Sequence, residues 1–98
     1  MFDKLENVEK RYEELNTQIS DPAVIANQSE WKKLMKEHAD MEEVVLKYRE
    51  YKKVVKSIED LKEMLTDKEM HDLAQAELDE NREKLPKIEE ELKLLLVP

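Results

Sequence analysis

The sequence predicts an all-α fold, a three-helix antiparallel bundle from which a coiled-coil-like αα-hairpin protrudes. Three observations carry that prediction. The chain has 98 residues and no glycine, where ordinary proteins use about 7%. Charged residues make up 43% of it and aromatics 5%, the composition of long helices and coiled coils. Apolar residues then recur at steps of three and four along nearly its whole length, the spacing of one helix face. The core is therefore a narrow seam between helices.

The first helix is predicted over residues 2–19, where Phe2, Leu5, Val8, Tyr12, Leu15 and Ile19 share a face. Pro22 ends it, because proline lacks an amide donor and disfavours helix in the residue before it. Ser20 or Asp21 can cap a short turn over 22–26 that starts at Pro22. Asn27, Gln28 and Ser29 offer caps for the next helix.

The second helix is predicted over 30–65. Its stripe is Trp31, Leu34, His38, Met41, Val45, Tyr48, Tyr51, Val55, Ile58, Leu61 and Leu65. Two successive three-residue steps at Tyr48 make a stammer, a local overwinding. Nothing here breaks a helix, so one rod of about 54 Å is expected at 1.5 Å per residue, with a break near Tyr48 and Tyr51 as the alternative.

Thr66, Asp67, Lys68 and Glu69 form a capping-box pattern, Thr66 accepting from the Glu69 amide and Glu69 reaching back. The third helix is predicted over 67–96, with a stripe of Met70, Ala74, Leu78, Asn81, Leu85, Ile88, Leu92 and Leu95. Asn81 is a polar residue in an apolar register, a device that fixes pairing. Pro86 removes one helical hydrogen bond and predicts a kink. Residues 1–98 are expected to form a single helical domain. The apolar run Leu94-Leu95-Leu96-Val97 before Pro98 predicts a polypeptide truncated from a longer one.

Composition also excludes function classes. Phosphate-cradling loops and nucleophile elbows need glycine for positive φ or close backbone approach. Without cysteine there is no disulfide and no thiolate-bound metal. Neither His38 nor His71 has a glutamate three residues before it, so the paired pattern of carboxylate-bridged metal bundles fails. His38 lies on the apolar stripe and reads as a seam residue, and His71 as solvated. Paired acids such as Glu13-Glu14, Glu42-Glu43 and Glu89-Glu90-Glu91 read as a wet face, since acid–base work needs a desolvated cleft. No catalytic residue, cofactor site, metal site or small-molecule substrate is expected. No apolar run approaches the roughly 20 residues of a membrane span. The opening residues lack a signal peptide's pattern, and a cytoplasmic location is expected.

The net charge of −8 is unevenly distributed. Residues 1–21 carry six acids and three bases, 22–56 six acids and eight bases, and 57–98 thirteen acids and six bases. Within the basic middle, Lys47, Arg49, Lys52, Lys53 and Lys56 surround Tyr48 and Tyr51. Basic residues among aromatics mark a candidate RNA-facing surface. The same residues also suit a seam whose tyrosines pack inward and whose lysines pair with acids of neighbouring helices.

Several segments together resemble the amino-terminal domain of the bacterial class I peptide chain release factors. They are Ser20-Asp21-Pro22 through Ile25-Ala26-Asn27-Gln28, and Met64-Leu65-Thr66-Asp67-Lys68-Glu69-Met70 with Leu73-Ala74-Gln75 and Glu77-Leu78. The closing Leu94-Leu95-Leu96-Val97-Pro98 completes the set. The resemblance covers the whole chain and is nearest to the UAA/UAG-reading type, with the UAA/UGA-reading type second. It implies a part in translation termination, with stop-codon reading and the Gly-Gly-Gln loop lying beyond this segment. It also implies docking of this domain near the stalk base and GTPase-associated centre of the large ribosomal subunit, against ribosomal RNA. The release-factor recycling GTPase and the release-factor glutamine methyltransferase are the further implied partners. The candidate docking surface is the hairpin tip: Leu65, Thr66, Asp67, Lys68, Glu69, Met70 and Asp72. A stand-alone coiled-coil adaptor and a carboxylate-bridged metalloenzyme are the competing classes.

Overall fold

The computed structural model describes residues 2–98, and its regular elements are all helices, with α1 at Asp3–Ile19, α2 at Pro22–Ala26, α3 at Gln28–Met64 and α4 at His71–Leu95. It divides into two compact units, Met1–Leu46 and Lys47–Pro98, and α3 contributes to both.

In the first unit α1 starts with Asp3 and Glu6 in its opening turn, where negative charge offsets the helix dipole. Leu5, Tyr12 and Leu15 are its buried residues, spaced to one face. At its end the Ser20 hydroxyl donates to the Asn16 carbonyl at 2.9 Å. Asp21 makes the cap that starts α2, its Oδ1 accepting from the Ala23 amide at 2.9 Å, with Pro22 as the first helical residue. Asn27 then caps α3, its Oδ1 accepting from the Glu30 amide at 3.4 Å.

α1 and the first part of α3 run antiparallel. Arg11 pairs with Glu37, Tyr12 stacks on His38, and the Trp31 indole donates to the Ile19 carbonyl at 3.1 Å. From residues 11 and 12 to residue 19 of α1, the partner on α3 falls from 37 and 38 to 31. The Trp31 bond also serves a carbonyl that α1 cannot satisfy from within.

In the second unit the rest of α3 and α4 form an antiparallel hairpin around Ile58, Leu61, Ala74 and Leu78, with Val54, Leu65 and Leu85 packed against them. Lys47 meets Glu91 at 2.5 Å at the open end. Each fully buried leucine contributes roughly 1.5–3 kcal/mol over its exposed state.

The predicted helices are present, with α3 unbroken through Tyr48 and Tyr51. The third begins later than expected, at His71 rather than 67. Thr66 is still in the final turn of the preceding segment and donates its hydroxyl to the Glu63 carbonyl at 2.9 Å. Asp67, not Thr66, accepts the Glu69 amide, at 3.0 Å. The rotamer that aims the Thr66 hydroxyl at a carbonyl three residues back turns it away from the amides ahead. Pro86 lies within α4, and helix continues on both sides of it. It is exposed, as is Arg82, so solvent can serve the carbonyl that proline leaves open.

Candidate docking surfaces

The hairpin tip is a tight turn. Backbone amides of Asp67 and Met70 donate to the Met64 and Asp67 carbonyls, both at 3.1 Å, and the Ala74 amide donates to Met70 at 2.8 Å. Leu65 is half-buried against the hairpin core and anchors the turn from inside. Thr66, Asp67, Lys68, Glu69, Met70 and Asp72 are exposed. Met64 and Leu73, outside the expected set, add exposed apolar area at 43% and 59%, beside Met70 at 37%. The His71 ring lies 3.4 Å from Asp72 and is open to solvent. The tip therefore offers apolar side chains in an acidic frame.

The basic cluster is largely engaged. Lys47 pairs with Glu50 at 3.0 Å as well as with Glu91. The hydrogen bonds it donates, to Glu91 first and Glu50 second, hold its ammonium above the usual lysine range. Lys56 pairs with Asp60 at 3.0 Å, and that bond likewise raises it. Lys52 lies over the Tyr48 ring, 4.8 Å from its centroid, a cation–π contact. Tyr48 is buried and stacks on Tyr51 with centroids 6.2 Å apart, so its face is closed to a nucleobase. Arg49 is half-buried with interactions of its own. Lys53 alone of the five is exposed with no such engagement among the described residues.

His38 occupies the seam position its spacing predicts. Its ring stacks on Tyr12 at 4.3 Å between centroids and its Nε2 lies 2.6 Å from Asn16 Oδ1. Beside it, Arg11 grips Glu37 with two bonds, Nε to Oε1 at 2.9 Å and Nη2 to Oε2 at 3.0 Å. That fork holds the Glu37 carboxyl below its usual range and the guanidinium above its own. Among the described residues, no three carboxylate or imidazole groups are placed to hold a metal ion, and no helix is long and apolar enough to cross a membrane.

A second basic group escaped the sequence reasoning. Lys32, Lys33 and Lys36 sit in the opening turns of α3, all exposed. With Asn27, Ser29, Glu30 and Leu34, Lys32 and Lys33 line a shallow groove. The signal was present as a Lys-Lys-x-x-Lys spacing inside the basic middle segment, but without interleaved tyrosines it did not stand out.

The class this defines is an all-helical chain whose helices pair antiparallel within each unit. Residues 8–98 match the PCRF domain, and the chain belongs to that family. It is 54% identical to "Peptide chain release factor 1" of Clostridium novyi, 55% to the protein of the same name in Acetivibrio thermocellus and 48% to that of Clostridium acetobutylicum. Each alignment takes in 100% of this chain and 28% of the relative, so the chain spans little more than a quarter of their length. No solved structure matches it.

Proposed function

We propose that this chain is the amino-terminal, ribosome-docking part of a peptide chain release factor that ends translation at UAA and UAG stop codons. The observation that carries the reading is the family match over 8–98, with about half the residues identical to release factor 1 proteins along the whole chain. The domain docks near the stalk base and GTPase-associated centre of the large subunit and performs no catalysis itself. Its hairpin tip, residues 65–72 with Met64 and Leu73, supplies a docking surface of exposed apolar side chains on a turn held by backbone bonds. The recycling GTPase and the glutamine methyltransferase are further partners in this reading, and the cytoplasm is its place of action. A stand-alone adaptor is disfavoured, because an unrelated coiled coil has no reason to match a release factor at this level across its full length.

Co-sedimentation of the 98-residue chain with purified large ribosomal subunits tests this. The chain is expected to pellet with subunits and to be displaced by an intact release factor. A chain that stays in the supernatant, or that pellets but is not displaced, refutes the proposal.

A further inference from the structure

We infer that Lys32, Lys33 and Lys36 form a contact surface for the phosphate backbone of RNA, while the tip does not. This rests on the ribosome-docking reading and names the chemistry of one of its contacts.

In the 47–56 cluster, Lys47 and Lys56 are neutralised by carboxylates, and Lys52 covers a tyrosine ring. Lys32, Lys33 and Lys36 make no ion pair or hydrogen bond among the described residues. At 100° per residue the three fall within an arc of about 100° on α3. Lys32 and Lys36 are one turn apart, with Cβ atoms roughly 5–6 Å from each other, so their ammonium groups can reach successive phosphates of a single strand. Of the nearby acids, Glu37 is already neutralised by the Arg11 fork. Glu30, bonded to Asn27 Nδ2 at 3.4 Å, and Asp40, exposed one turn beyond Lys36, remain, and the three lysines still outnumber them.

The tip has the opposite character. Residues 59–79 hold eight acids and two lysines, which repel a phosphate backbone. A chain of net charge −8 does not gather RNA by its overall field, so the lysine patch acts only where another surface has placed it beside RNA. Ser29 lies on the same arc and is exposed, giving a position from which the ligand can be probed without touching a lysine.

The experiment compares the wild-type chain with Lys32→Gln/Lys33→Gln/Lys36→Gln in binding to purified large ribosomal subunits across a salt series. Lys62→Gln/Lys87→Gln/Lys93→Gln is the charge-matched control, drawn from exposed lysines of the other unit. The first variant is expected to bind at least about tenfold more weakly, with a log–log salt slope shallower by about two to three, one increment per lost phosphate contact. The control is expected to bind as wild type. Because the chain has no cysteine, Ser29→Cys also carries a single tethered iron chelate, which is expected to cut ribosomal RNA locally by hydroxyl radical. Equal binding of the two triple variants overturns the inference. So does intact binding with no RNA scission from position 29, which would place a protein against the patch. Failure of the wild-type chain to bind subunits at all is the separate result that sinks the docking reading.

Discussion

Leu78→Ala is the sharpest test of how the hairpin is held. Leu78 is 0% exposed and sits among Ile58, Leu61 and Ala74, with Leu85 and Val54 behind them. The substitution removes three carbons, about 2.4 kcal/mol at 0.8 kcal/mol per buried methylene. The cavity term adds to this, and measured leucine-to-alanine losses run from roughly 2 to 5 kcal/mol. A two-helix seam has few neighbours to hold a void open, so partial collapse keeps the cost near 3 kcal/mol. Against a total stability of roughly 5–15 kcal/mol for a domain, that is a large fraction. The assay is urea denaturation followed by helical circular dichroism, with Leu73→Ala as the paired control. Leu73 lies five residues away on the same helix and is 59% exposed; its truncation is expected to change stability by less than about 0.5 kcal/mol. A Leu78→Ala loss below about 1 kcal/mol, or one no larger than that of Leu73→Ala, would show that the Ile58, Leu61, Ala74 and Leu78 cluster is not what closes the hairpin.

Two other substitutions probe local chemistry. Asp67→Ala is expected to cost about 0.5–1 kcal/mol by removing the acceptor of the Glu69 amide, and Thr66→Ala less than about 0.5 kcal/mol; the reverse order in thermal melts would restore the capping box. Glu37→Gln is expected to lower the melting temperature at pH 7. Because Arg11 depresses the Glu37 carboxyl in the folded state, the wild-type advantage is present above the ordinary glutamate range and fades as pH falls through the lower folded value. Melting curves that stay equally separated down to pH 2 would show that the Arg11 fork is not the source of the difference.

Much of the fold was legible because a helix imposes one rule on every residue. Steps of three and four located the first helix to within a residue or so and carried the second through Tyr48 and Tyr51. They also picked out Leu5, Tyr12, Leu15, Ile58, Leu61, Leu78 and Leu92, all buried. What failed was local and competitive. Thr66 fits a capping box in sequence, yet its hydroxyl has two uses within reach, the Glu63 carbonyl behind it and the Glu69 amide ahead. Asp67 can only accept, so it takes the amide, and Thr66 turns back. A pattern search scores the match without weighing that competition.

The surfaces were harder to read for a related reason. Formal charge is a property of the sequence, but available charge depends on what the fold brings within about 3 Å. Lys47 and Lys56 belong to the densest basic run in the chain, and acids placed by the fold consume both. Lys56 meets its acid four residues on along the same helix. Glu91 reaches Lys47 only because the hairpin returns, forty-four positions later. Lys32, Lys33 and Lys36 make a sparser run, and one of its neighbouring acids, Glu37, is drawn off by Arg11 on another helix. The more conspicuous cluster is thus the less available one. The Lys32→Gln/Lys33→Gln/Lys36→Gln variant reads that availability directly, because a lysine already paired with a carboxylate has no counterion for a bound phosphate to displace.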